Sequence, residues 1–405
     1  MVPNGWMTAT LGDLVNKSAF GPRFTSELYA EDGAIGTIRT TDLYNEGEIN
    51  YATIPYANLD ISEYEEHILK EGDLLITRSG TCGIPCIFTE QEKPIIAGAF
   101  LIRFQLNNKI ESKFLHEVLK YAPIQSDIKR MAAGGVQKNL TGTSLKKLSM
   151  PVPPLPEQRK IAQILSTWDR GIVTTEKLID ASKLQKKALM QQLLTGKKRL
   201  VDPETGKAFE GDWEEVKLNQ IANITMGSSP KSESYNEVGI GLPLLQGNAD
   251  IKARKSAPRI YTSQITKECN VNDILLSVRA PVGTVAKSLH NACIGRGIAS
   301  IQAKKNIVQE FVYQWLLAFE PKWERFSQGS TFEAVNSNDI KTLHISLPVF
   351  QEQQKIASVL TAADKDIELL EAKLVLFKQE KKALMQQLLT GKRRVKVEHM
   401  EEATC

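Results

Sequence analysis

The sequence predicts an α+β protein made as a tandem repeat. Two mixed α/β domains are each followed by a long helix. The two helices pair as an antiparallel coiled coil, with an internal pseudo-two-fold relating the copies. Three observations lead there. Residues 186–197 and 381–392 are the same twelve amino acids, KKALMQQLLTGK, at an offset of 195, and a fixed-offset repeat reports a repeated architecture. Each copy closes a stretch whose apolar residues recur at alternating spacings of four and three, the period of a coiled-coil seam. Upstream of each stretch, short apolar runs bounded by turn residues give way to a helical pattern.

The offset of 195 holds without a gap through Glu157-Gln158 and Glu352-Gln353, Lys160-Ile161-Ala162 and Lys355-Ile356-Ala357, and Asp169 and Asp364. Earlier in each copy the match loosens: 6–11 resembles 213–218, and 72–77 resembles 272–277. The chain therefore divides into a first domain (1–150), a helical spacer (151–199), a second domain (200–346), a second spacer (347–395) and a tail (396–405).

In the first domain, 35–39, 73–77, 86–88 and 99–104 read as strands and 113–121 as a helix. In the second, 273–278 and 298–303 read as strands and 307–319 as a helix. The first spacer carries its seam on Ile161, Leu165, Trp168, Ile172, Ile179, Leu189 and Leu193, with Thr175, Ser182 and Lys186 at the intervening places. The second uses Ile356, Leu360, Ile367, Leu370, Leu374, Phe377, Leu384 and Leu388, with Ala363 and Lys381 completing the series. Prolines at 151, 153, 154 and 156 lead into the first helix, and Gly196 and Gly391 are placed to end the two helices in left-handed caps. The second copy has Phe350-Gln351 where the first has Leu155-Pro156, which puts its start in question. A helix with so narrow an apolar stripe needs a partner. The other helix is the simplest one; packing of each helix on its own domain is the alternative.

Both domains carry polar, glycine-rich turns with residues able to donate to bases or phosphates. The candidates for DNA contact are Arg39, Thr40, Thr41, Arg78, Ser79, Thr81, Gln137, Lys138 and Asn139 in the first, and Gln246, Asn248, Arg279, Arg296, Ser330 and Thr331 in the second. Each turn alone reads as an ordinary surface loop; two matched sets on duplicated domains suggest binding. A net charge of +4 does not by itself indicate nucleic acid.

Other classes find little support. Five scattered cysteines suit neither a disulfide framework nor zinc, so no metal is expected. The N-terminus lacks a signal-peptide pattern and no long apolar run occurs, so a cytoplasmic protein without a membrane partner is expected. The five histidines sit with no nucleophile motif, and Gly196-Lys197-Lys198 lacks the spacing of a phosphate-binding loop. No catalysis is expected of the chain.

Four motifs carry a resemblance: Trp6 with Leu11-Gly12-Asp13-Leu14; Gly72-Asp73-Leu74-Leu75-Ile76-Thr77-Arg78-Ser79-Gly80; the proline-rich run from Leu148 to Glu157-Gln158; and Gln191-Gln192-Leu193-Leu194-Thr195-Gly196. Together, and with their second copies, they resemble the specificity subunits of type I restriction-modification systems over essentially the whole chain. That resemblance implies two target-recognition domains, each reading half of an asymmetric bipartite site in double-stranded DNA. It implies helices that act as a ruler and dock two modification (M) subunits, with restriction (R) subunits joining the full complex. S-adenosylmethionine, ATP and Mg would then belong to those partners and no cofactor to this chain. A coiled-coil interaction scaffold without DNA readout is the competing reading.

Overall fold

The computed structural model describes residues 2–44, 47–132, 139–327 and 334–397. By internal contacts the chain forms two compact units, Met1–Thr175 with Lys373–Cys405, and Glu176–Ala372. Each long helix thus contributes one part to each unit.

The first unit opens with β1 (Met7–Thr10), β2 (Val15–Phe20), β3 (Ile35–Ile38), β4 (Tyr56–Ala57), β5 (Leu74–Thr77), β6 (Pro85–Ile87), β7 (Ile95–Ala97) and β8 (Leu101–Leu106). Helices α1 (Ser112–Lys120) and α2 (Ala122–Met131), strand β9 (Ser149–Val152) and the long helix α3 (Leu155–Leu193) follow. Antiparallel strands in the order β2-β8-β5-β6 make one sheet, and β4-β3-β7 a second in which β3 and β7 are parallel. The unbroken apolar run of β5 is explained by burial on both faces. Leu74 and Ile76 join Ile102, Phe104 and α1 residues Phe114, Leu115 and Val118 in one core, while Leu75 turns to Ile38, Phe88 and Leu101 in another. The period of two along a strand enforces that split.

The second unit repeats the plan with β10 (Glu214–Lys217), β11 (Ala222–Met226), β12 (Leu242–Leu245), β13 (Ile274–Ser277), β14 (Val285–Lys287), β15 (Ala292–Ile294), β16 (Ile298–Ala303), α4 (Gln309–Ser327), β17 (His344–Leu347) and α5 (Phe350–Leu388). Strands β11-β16-β13-β14 match β2-β8-β5-β6 in order, and Ile274 and Leu276 again face away from Leu275. The repeated Asp of the 72–77 and 272–277 segments proves structural. Asp73 Oδ2 accepts the Lys70 amide at 2.8 Å and pairs with buried Arg103 at 2.6 Å; Asp273 Oδ2 accepts the Asn270 amide and the Ser300 hydroxyl, both at 2.8 Å. Burial raises the Asp73 carboxyl above its ordinary pKa, against the pull of Lys70 and Arg103.

Helix α4 runs past the expected end at 319 and carries Pro321 inside it. The reason is Trp323, buried in the core with its ring 5.1 Å from that of Phe319. Burying an indole, about 3–5 kcal/mol by truncation, offsets the hydrogen bond a helix-interior proline forfeits.

Helices α3 and α5 have 39 residues each. Leu155 and Phe350 occupy equivalent places, so the Phe350-Gln351 departure does not move the helix start. After the helices, Gly196 and Gly391 sit at φ +69° and +70°, the left-handed geometry that glycine adopts at no steric cost. Segments of the two helices run antiparallel inside each unit. In the first, Trp168 packs edge-on against Phe377 with ring centroids 5.5 Å apart and Asp169 binds Lys381; in the second, Lys183 binds Glu371 and Lys186 binds Asp364. All fifteen seam residues are buried or half-buried. Several also close a domain core: Ile161, Leu165 and Leu388 lie with Trp6, Phe114 and Met150, and Leu193, Ile356 and Leu360 with Val216, Phe311 and Ile345. Helix pairing and helix-on-domain packing, read from sequence as alternatives, both occur.

Candidate nucleic-acid interface

The domains meet their helices through a repeated clamp. Glu157, at the start of α3, accepts the Trp6 indole N–H at 3.0 Å and a two-pronged bond from Arg394 at 2.6 and 2.7 Å, while Arg394 also donates to the Asn4 carbonyl at 2.7 Å. Glu352, at the start of α5, accepts the Trp213 indole at 3.3 Å and Arg199 at 2.7 and 2.8 Å, and Arg199 reaches the Gly211 carbonyl at 2.8 Å. Hydrogen bonding to these carboxylates raises both arginines above their ordinary pKa. The neighbouring glutamines finish the joint. Gln158 accepts the Glu111 amide at 2.7 Å and donates to the Pro153 carbonyl at 2.8 Å; Gln353 accepts the Val308 amide at 3.0 Å and donates to the Pro348 carbonyl at 2.9 Å. Charge-assisted two-pronged bonds are among the strongest polar contacts available. Glu157-Gln158 and Glu352-Gln353, matched in the repeat, thus tie each domain to the start of its long helix.

In the first unit the candidate turn 39–41 borders a cleft of about 560 Å³ lined by Arg23, Phe24, Tyr29, Arg39, Thr41 and Phe100, among others. Arg39, Thr40 and Thr41 lie on it as a group. Arg39 is tethered: its Nε and Nη2 donate to Asp42 at 3.0 and 2.8 Å and Nη2 also to the Thr53 carbonyl at 3.1 Å, and Asp42 raises its pKa. Beside the cleft, Arg78 donates from its amide to the Phe100 carbonyl at 2.9 Å and from Nε to Asn139 Oδ1 at 3.3 Å; its guanidinium carbon lies 4.2 Å from the Phe20 ring centre. Ser79 is bridged to Asn139 through the backbone. Exposed Thr81 gives its carbonyl to the Thr77 hydroxyl, which braces this turn. The structure therefore gathers Arg78, Ser79 and Asn139 at one rim and Arg39, Thr40 and Thr41 in the adjoining cleft.

In the second unit Gln246 donates to Tyr235 Oη at 2.9 Å and its amide to Asp250 at 2.8 Å, as the Arg39 amide does to Asp42. Asn248 begins the short helical turn that contains Asp250. Arg296 meets Ser229 Oγ through its amide and Nε at 3.2 and 3.4 Å, and Gly295 donates to the Leu245 carbonyl at 2.8 Å, bringing Gln246 and Arg296 to one edge. Arg279 is exposed and bridged to Ala334. Gln137, Lys138, Ser330 and Thr331 lie outside the described residues. Sequence reasoning passed over Phe20, Arg23, Phe24, Tyr29 and Phe100. The available signal was an aromatic set near Gly21 and Gly98, of which Phe20, Tyr29 and Phe100 are exposed while Phe24 packs on the small core of Ile35 and Ile96.

Among the described residues no cluster of His, Cys, Asp and Glu could hold a metal, and no helix is long and apolar enough to cross a membrane. Residues 3–182 and 210–376 match the family described as type I restriction modification DNA specificity domain. The chain is 36% identical over 367 residues to the type I restriction enzyme MjaX specificity subunit of Methanocaldococcus jannaschii, covering 85% of this chain and 86% of that one. It is 24% identical over 251 residues to the EcoKI specificity subunit of Escherichia coli, covering 60% and 54%. In fold it is similar to the S subunit of a type I restriction-modification system from M. genitalium, with a TM-score of 0.64 at 17% identity over 96% of this chain and 98% of that one. A chain from a structure of a type I restriction-modification complex gives 0.60 at 22% identity over 97% and 100%. Duplicated domains, repeated clamps and these likenesses converge: the chain belongs to the type I restriction modification DNA specificity family and is a DNA sequence-specificity subunit.

Proposed function

We propose that each unit reads one half of a bipartite duplex site, that α3 and α5 set the distance between the halves, and that the repeated helices dock two modification subunits, with restriction subunits joining the full complex. Methyl transfer and ATP-driven steps, with S-adenosylmethionine, ATP and Mg, belong to those partners in the cytoplasm, and this chain supplies recognition alone. The observation that carries the reading is a contrast between copies. The clamps on Glu157 and Glu352 repeat nearly atom for atom, whereas the loops differ: Arg39 and Arg78 in one unit, Gln246 and Arg296 in the other. Equal clamps suit identical partners; unlike loops suit unlike half-sites.

Two measurements test it. Binding of the assembled complex to duplex DNA should weaken steeply, by orders of magnitude, between about 50 and 200 mM salt, because phosphate contacts release counterions. Salt-independent binding, or none, would favour an interaction scaffold. Inserting one heptad at matched points of both helices adds roughly 10 Å to each and should lengthen the unmodified spacer by about three base pairs. An unchanged spacer in the methylome would defeat the ruler.

A further inference from the structure

We infer that Arg78 is a specificity-determining residue, which reads a guanine through the major groove in the half-site of the first unit. The inference rests on the DNA-reading role proposed above and assigns one base to one side chain.

Four observations converge on this residue. First, its main chain is held on both sides: the amide donates to Phe100 and the carbonyl accepts the Leu140 amide, both at 2.9 Å. Second, its guanidinium carbon lies over Phe20, 4.2 Å from the ring centre, and Phe20 is itself 44% exposed. Third, Nε is engaged by Asn139, and the two Nη groups make no hydrogen bond or ion pair among the described residues. Fourth, Phe100, 58% exposed, stands next to it at the mouth of the cleft that holds Arg23 and Thr41.

The chemistry follows from shape. A guanidinium with Nε committed presents its paired Nη donors end-on, and guanine offers O6 and N7 as matching acceptors on its major-groove edge. Stacking on an aromatic ring restricts the side chain before DNA arrives, so less freedom is lost on contact. Phosphate contact would not require such aim; a free lysine serves as well.

The second unit lacks this device. Phe20 pairs two residues from Phe100 across β2 and β8, and the same register in β11 and β16 places Met226 and Gly297 there. Val278 occupies the Arg78 position, its amide donating to the Gly297 carbonyl at 2.9 Å, and it is buried. A guanine read this way therefore belongs to one half-site only.

The test is methylome sequencing of cells carrying the full complex with wild-type chain, Arg78→Ala, Arg78→Lys or Phe20→Leu. One guanine in one half-site should relax in Arg78→Ala, losing preference by about 5- to 150-fold. Arg78→Lys should relax the same position, because lysine lacks the fork, and Phe20→Leu should relax it partly while retaining the charge. The other half-site and the spacer should not change. An unaltered motif in Arg78→Ala overturns the inference, as does relaxation at any base other than guanine. Should Arg78→Ala abolish modification, binding of the purified complex to duplexes carrying each base at each position decides. Uniform weakening means a phosphate contact and sinks the assignment; lost preference at one guanine upholds it. A wild-type complex without a defined motif would instead defeat the DNA-reading role itself.

Discussion

Replacing Lys381 with methionine should destabilise the fold by about 3–5 kcal/mol, whereas the same change at Lys186 should cost about 1 kcal/mol. The two lysines occupy the same place in an identical stretch of sequence, so the difference is entirely environmental. Lys381 Nζ sits 2.6 and 2.8 Å from Asp169 and 3.1 Å from Glu117, with side-chain exposures of 8% for Lys381 and 7% for Glu117. Burial would lower its pKa, yet Glu117 and Asp169 prevail and raise it above the ordinary lysine value. Removing the ammonium strips buried Glu117 of its nearer cation and leaves Lys120, at 3.8 Å, as a weaker counter-charge, the costly way to break an internal ion pair. Lys186 instead pairs with Asp364 at 2.5 Å, an aspartate about as exposed as Asp169 (34% against 32%), but the residue corresponding to Glu117 is neutral Gln314, which donates to Asp364 at 2.7 Å. Urea unfolding of each variant measures the costs. Adding Glu117→Gln to Lys381→Met should restore a substantial part of the loss, a coupling that a double-mutant cycle reads directly. Equal costs for the two lysine variants would refute the assignment.

Acid should destabilise the chain through His116, by about 3 kcal/mol between neutral pH and pH 4. Burial first, then the positive charges of Lys120 and Lys381, lower its pKa from 6.5 to about 4, against the hydrogen bond to the Pro85 carbonyl. The folded state holds the imidazole neutral where the unfolded chain would already be protonated. Stability from this group is therefore complete above pH 6.5 and is lost as pH falls toward 4. Unfolding free energies at pH 7, 5.5 and 4.5 should fall less for His116→Gln than for the wild type. Parallel slopes for the two proteins would show that His116 is not the acid-sensitive group. Comparing slopes is needed because carboxylates common to both proteins also titrate in this range.

The repeat, the long helices and the main strands are legible in the residues because each depends on local spacing or composition. An exact copy at a fixed offset marks a duplication, a period of 3.5 marks a seam, and runs such as Leu74–Thr77 bounded by Asp73 and Arg78 mark strands. The extension of α4 beyond Pro321 was not legible, because the burial of Trp323 that permits it depends on a distant core. The clamps were half visible. Trp6 with Trp213, Glu157 with Glu352 and Arg199 with Arg394 each recur in both copies, yet the bonds join residues 151 and 237 positions apart in the first unit. Recurrence alone does not say which of them touch.

By itself, the amino-acid order determined that there are two domains of one kind, two paired helices and a family. Those properties follow from periodicity and duplication, which are carried along the chain. The tertiary structure alone decided which loop residues stand together, that Arg78 rests on Phe20 beside Asn139 while Val278 is buried, and that Lys381 is enclosed by two carboxylates while Lys186 is not. The physical reason is that burial and charge pairing are set by what long-range packing brings near a side chain, and identical sequences can therefore acquire different energies.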